Sequence, residues 1–173
     1  MGTLILISGA SGSGKSRYAE HIVAQTTGKR YYIATMQPCS AENLQRIEKH
    51  RRQRKDLHFT TLECPCQIGT AEVEKDSVVL LEDVSNLLAN AMFERGGDGE
   101  SAYKDINALR ERCRLLVAVT ITGLSAVGYD GETAAYIRAL NGLNRRLHDC
   151  AAAAVTMKDG EPFTEKGELD EII

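Results

Sequence analysis

Residues 3–16 read TLILISGASGSGKS, and this stretch decides the fold. A short apolar run suits a buried strand, and Gly9-Ala10-Ser11-Gly12-Ser13-Gly14-Lys15-Ser16 matches GxxxxGK[ST] in full. The residues that follow, about 15–26, read as a helix. A strand that runs into a glycine-rich turn opening a helix is the context in which this pattern carries chemistry. Glycine permits the backbone twist that points several N–H groups inward at phosphate oxygens. The helix N-terminus adds a favourable dipole, Lys15 adds a positive charge, and the Ser16 hydroxyl is placed to ligate Mg2+. Residues 9–16 are therefore expected to hold a nucleotide.

Outward from this loop, short apolar runs alternate with helix-like segments. Residues 30–35, 77–82, 115–121 and 151–157 read as further buried strands, and 57–62 as one more. Helices are expected at about 40–54, 66–75, 84–95, 102–112 and 131–149, with Ser40 and Asp130–Gly131 as starts. Residues 94–100 (ERGGDGE) read as a loop, and the acidic tail from Gly160 as a mobile end. The alternation predicts an α/β fold, a single P-loop domain over 1–173 with a mostly parallel sheet flanked by helices on both faces. The length of 173 residues suits one core, and 43% hydrophobic with 26% charged residues excludes a disordered chain. A net charge of −3 argues against a nucleic-acid coat. The five cysteines form no CxxC pair, which points away from a metal cluster or a disulfide framework and towards reduced thiols. No apolar run approaches membrane-spanning length, and TLILIS is too short for a signal peptide, so the expectation is a cytoplasmic protein.

A P-loop enzyme needs an acid at the end of a neighbouring strand to hold or order the metal. Glu82 and Asp83, after SVVLL, are the candidates; Glu82 suits the metal side, and Asp83 suits the start of the next helix or a share in the metal. Thr35, at the end of its strand, either reaches the nucleotide or ends the strand without a ligand role. Tyr31 and Tyr32 read as packed or as stacking platforms.

Residues 44–54, LQRIEKHRRQR, hold one histidine among cations. Helical spacing puts Leu44 and Ile47 on a side able to face the core, and Arg46, His50 and Gln53 on another, with Arg54 at its edge. Cations beside an imidazole disfavour its protonated form, so His50 should be neutral. A neutral imidazole flanked by arginines can attack a phosphorus and form a covalent intermediate, although a solvated basic helix would carry the same pattern.

Several motifs together resemble one family, the bifunctional adenosylcobinamide kinase/adenosylcobinamide-phosphate guanylyltransferases of cobalamin biosynthesis. They are the phosphate loop followed by Arg17 and Glu20, YIAT at 32–35, and Arg46-Ile47-x-x-His50-x-x-x-Arg54. TLECP at 61–65, LLEDVSNLLANAMF at 80–93 and LNRRL at 143–147 complete the set. The resemblance implies that His50 takes GMP from GTP as a covalent intermediate, and that Lys15 serves phosphoryl transfer from GTP or ATP to adenosylcobinamide. It places Ala34, Thr35, Met36, Arg51, Arg52, Gln53, Arg54, Glu63 and Glu82 around the guanine nucleotide, with Ser16 and Glu82 at the Mg2+. It also implies a homo-oligomer, trimers being known in the family. Two other readings of the residues remain beside it: a P-loop kinase of a small alcohol without nucleotidyl transfer, and a GTP-binding module without turnover. The chain departs from the family pattern at Gly12, where an arginine is common, at Ile121-Thr122-Gly123-Leu124 and 125–132, and at Asn141.

Overall fold

A computed structural model describes all 173 residues, with the side chain of Gln53 as the one exception. The strands are β1 (Thr3–Gly9), β2 (Arg30–Ala34), β3 (Thr60–Glu63), β4 (Val78–Glu82), β5 (Leu115–Val119), β6 (Ala153–Lys158) and β7 (Glu161–Lys166). The helices are α1 (Lys15–Gln25), α2 (Ala41–Gln53), α3 (Val84–Arg95), α4 (Gly99–Arg112) and α5 (Gly131–Cys150). The strands form one seven-stranded sheet in the order β3-β2-β4-β5-β1-β6-β7. All neighbours pair in parallel except β6 with β7. This is the P-loop α/β architecture expected from residues 3–16.

Side chains along a strand alternate between the two faces of a sheet, and a sheet covered on both faces is apolar at every position. The inner strands show this directly. Leu4 and Leu6 of β1, Val79 and Leu81 of β4, and Leu116 and Ala118 of β5 enter one core cluster with α3, α4 and α5. Ile5 and Ile7, Val78 and Leu80, and Leu115, Val117 and Val119 enter the other, against α1. Parallel pairing aligns the carboxyl ends of β1, β2 and β4 on one rim, which is where ligands bind in open sheets of this kind.

Three expectations are corrected. Residues 66–75 are no helix; Gly69 lies so close to α4 that a Cβ there would stand 2.7 Å from Ala108 Cβ. Only the short turn Ile68–Thr70 is helical, and Asp105 of α4 accepts from the N–H groups of Ile68 (2.9 Å) and Gly69 (2.7 Å). The tail beyond Gly160 is ordered as β7, held by backbone pairing to β6. Leu44 does not face the core: it is 53% exposed, because α2 stands over the rim of the sheet instead of lying on its face. Loss of the Asp105 carboxylate would leave two part-buried donors unpaired, so Asp105→Ala is expected to cost about 2–3 kcal/mol in chemical denaturation.

Candidate active site

The phosphate loop is shaped by glycines. Gly14, the residue before α1, has φ 91°, a conformation open to glycine at no steric cost. A Cβ on Gly9 would stand 2.6 Å from Ser13 Oγ and 2.7 Å from the Met157 carbonyl oxygen, so the loop must begin on glycine. The first turn of α1 has no side-chain cap and no acidic residue, which leaves its N–H donors and positive dipole end for an anion. Lys15 is half-buried; its Nζ donates to the Ala10 carbonyl oxygen at 2.5 Å, across the loop. Burial pulls its pKa down, opposed by Asp83 and Glu82.

Glu82 ends β4 beside this loop, and the Ser16 hydroxyl donates to its Oε1 at 2.5 Å. Its other oxygen, Oε2, is buried and has no hydrogen-bond partner among the described residues. Burial, with Asp83 next to it, pushes the Glu82 carboxyl up to about 8, against the Ser16 hydrogen bond. Asp83 takes the helix-cap role: its Oδ1 accepts from Asn86 N–H (2.7 Å) and from Ser85 Oγ (2.6 Å) at the start of α3. Thr35 is wholly buried and turned to the backbone of these two acids. Its Oγ1 accepts from Asp83 N–H at 2.7 Å and lies within donating distance of the carbonyl oxygens of Glu82 (3.0 Å) and Asp83 (2.9 Å). Thr35 thus fixes the acidic corner from below.

Helix α2 starts at Ser40, whose side chain accepts from Asn43 N–H, and it carries its basic last turn over the phosphate loop. One cleft of about 650 Å³ is lined by Ser11 to Arg17, by Tyr32, Ala34 and Met36, by Arg46, Ile47, Lys49, His50 and Arg54, and by Glu82 and Asp83. His50 and the phosphate loop, distant in sequence, therefore face the same space. The His50 pKa is lowered from 6.5 first by burial, then by Arg54, Arg46 and Lys49, with Asp83 opposing. Its Nδ1 is buried without a hydrogen-bond partner among the described residues, so no protein group there dictates the tautomer.

Other residues expected from the sequence lie elsewhere. Arg51 forms an ion pair with Glu63, and Arg52 one with Glu48 at 3.0 Å; none of these three expected ligands, Arg51, Arg52 and Glu63, is among the cleft residues. Gly9 and Ala10 shape the loop from behind the cleft lining. Gln53 lies outside the described side chains. The structure adds Arg17, Lys49, Ser85, Asn86 and Ile121 to the lining. Gly12 and Ile121, two of the departures from the family pattern, meet in this cleft, and Asn141 Nδ2 donates to the Leu124 carbonyl oxygen at 3.1 Å, bracing the loop that follows Ile121. Among the described residues no cluster of three or more His, Cys, Asp or Glu side chains is present, and no helix is long and apolar enough to cross a membrane.

Solved structures similar in shape include two ATPases at low identity, and they bear on the fold alone. An ATPase domain superposes with a TM-score of 0.57 at 10% identity, covering 95% of this chain and 77% of that one. A prototypical ATPase from the type III secretion system of pathogenic bacteria gives a TM-score of 0.57 at 11% identity, covering 91% and 51%. Among characterised proteins, the bifunctional adenosylcobalamin biosynthesis protein CobU of Escherichia coli is 35% identical over 111 residues, covering 62% of this chain and 60% of that one. The CobU protein of Salmonella typhimurium is 33% identical over 109 residues, covering 61% and 59%. These two matches span about three-fifths of each relative's length. The bifunctional adenosylcobalamin biosynthesis protein CobP of Pseudomonas aeruginosa is 28% identical over 171 residues, covering 94% of this chain and 97% of that one. The family model for cobinamide kinase / cobinamide phosphate guanyltransferase matches residues 5–164, the span that holds the phosphate loop, Glu82 and His50, and the chain belongs to that family.

Proposed function

We propose that this protein is a transferase with two activities: a kinase that phosphorylates adenosylcobinamide, and a guanylyltransferase that moves GMP from GTP onto the resulting phosphate. The observation that carries the reading is the shared cleft, in which a half-buried, cation-flanked imidazole faces a complete phosphate loop. The family's name supplies the acceptor class.

In the kinase step the loop N–H groups and Lys15 hold the terminal phosphates while the acceptor hydroxyl displaces the nucleoside diphosphate. In the second reaction a lone pair of His50 forms an N–P bond to the α-phosphorus of GTP as the bond to pyrophosphate breaks. The acceptor phosphate oxygen then takes the GMP group and returns the imidazole to its neutral form. Arg46 and Arg54 are placed to stabilise charge gathering on the phosphoryl oxygens. Ser16 and Glu82 fit a magnesium ion: the oxygen donors suit a hard cation that shares its shell with substrate phosphates, and Glu82 Oε2 is a buried acceptor without a partner. When bound, the ion would neutralise charge on the bridging phosphate oxygens. The same reading has the protein working in the cytoplasm as a homo-oligomer, a trimer by family resemblance, which light scattering on the purified chain would test.

The pH profile follows from the site. Only neutral imidazole attacks, and the His50 pKa lies below 6.5, so more than half of the enzyme remains reactive at pH 6.5. The acid limb of adduct formation is therefore expected to lie below that of a free imidazole. Arg54→Gln removes one of the cations that lower this pKa, and should move the acid limb up towards 6.5. A wild-type limb above pH 7 would count against His50 as the nucleophile.

A further inference from the structure

Tyr32 lines the cleft, yet at 3% exposure it offers no open ring face on which a base could stack. It sits mid-strand on β2, in register with Leu80 of β4 on one side and Thr61 of β3 on the other. Phe59 packs edge-on against its ring, with centroids 5.7 Å apart. Over the ring lies Arg54, whose guanidinium carbon stands 3.7 Å from the ring centre. Residues Ala41 to Arg52 of α2 are exposed or half-buried, whereas Arg54, which ends the helix, is only 6% exposed. Arg51 and Arg52 beside it pair with Glu63 and Glu48, but the Arg54 side chain forms neither an ion pair nor a hydrogen bond with any described residue. The Arg54 backbone N–H donates to the His50 carbonyl oxygen at 3.2 Å, so guanidinium and imidazole hang from one turn, and both line the cleft.

A buried cation without an ion pair is costly, and an arginine at the end of an exposed basic helix has solvent close by. The π face of Tyr32 is the contact that opposes its escape. A guanidinium held by its flat face keeps its N–H donors in its own plane, free for the oxygens of an anion. The platform is firm, because strand pairing on both sides fixes the Tyr32 backbone and Phe59 braces the ring. We infer that Tyr32 is a positioning residue for the reaction at His50, seating the Arg54 guanidinium in the cleft with its donors free to meet a phosphoryl group. Its ring face is engaged by the arginine, so Tyr32 acts on the substrate through Arg54. The inference rests on the reading of His50 as the nucleophile.

The experiment is a double-mutant cycle on the transfer of label from α-labelled GTP to the protein, with the rate at saturating GTP and the half-saturating concentration both measured. Tyr32→Leu keeps an apolar side chain and removes the π face. It is expected to lower the saturating rate about ten-fold, and by less than about two-fold when introduced into Arg54→Gln. Tyr32→Phe, which keeps the face and loses only the hydroxyl, should hold the rate to within about three-fold of wild type. Tyr32→Met, a second variant without a π face, is measured in both backgrounds, so that coupling is read even where Tyr32→Leu does not fold. A wild-type rate without the ring, an equal loss with and without Arg54, or a loss in Tyr32→Phe as large as in Tyr32→Leu overturns the role of Tyr32 and leaves His50 in place. Absence of label on the wild-type protein overturns both.

Discussion

His50→Asn is expected to abolish covalent guanylylation, lowering the label retained on the protein by about a thousand-fold or more while GTP binding changes by less than about three-fold. Asparagine keeps a polar side chain of similar reach but offers no nucleophilic lone pair at neutral pH. In the proposed function the phosphates are held by the phosphate loop, Lys15, Arg46 and Arg54, cleft residues that the substitution leaves in place. Phosphorylation of cobinamide should therefore survive it, since that step needs the loop and not the imidazole. If label and kinase activity fell together, the two activities would not separate at His50 and the nucleophile would have to be sought elsewhere.

Lys15→Met should do the reverse of sparing one step. The lysine is the charge that the loop itself contributes, half-buried and aimed across the loop at the Ala10 carbonyl oxygen. A phosphate in the loop offers that ammonium a charged acceptor in place of a neutral one. Methionine retains the stem and removes the cation, so phosphoryl transfer should fall by about 10²–10³-fold. Label transfer to His50 should fall with it, because both reactions draw on phosphates held in the same cleft. Thermal stability of the nucleotide-free protein should change little by comparison, since the ammonium makes no ion pair among the described residues; a calorimetric scan beside the two assays would separate unfolding from lost chemistry.

Much of this was legible before any coordinates. The inner strands are apolar at successive positions because both sheet faces are covered, and the phosphate loop announced itself by composition and context together. The Ser40 cap of α2 and the Asp83 cap of α3 followed from the reach of short polar side chains. What was misread depends on contacts distant in sequence. The turn at 68–70 exists because Asp105 of α4 binds its N–H groups, which no local periodicity reveals. β7 is exposed along nearly its whole length, so it lacks the alternating pattern that marks a strand. Helical spacing puts Arg54 at the edge of the His50 face, and family resemblance puts it at the nucleotide, but neither shows that it is buried. Its burial against Tyr32 arises only when β2 and the end of α2 meet. Family resemblance places Arg51, Arg52 and Glu63 at the nucleotide; here Arg51 pairs with Glu63 and Arg52 with Glu48 at the surface.

The proposed GMP-histidine intermediate is open to direct detection. Wild-type protein incubated with Mg2+ and either α-labelled or γ-labelled GTP, then denatured and mapped by mass spectrometry, should retain only the α label. The label should sit on the peptide that contains His50, be released by acid and resist base. Added cobinamide phosphate should remove it from the protein. Retention of the γ label, an adduct on any other residue, or no adduct at all in a protein that still binds GTP would contradict the proposed nucleotidyl transfer.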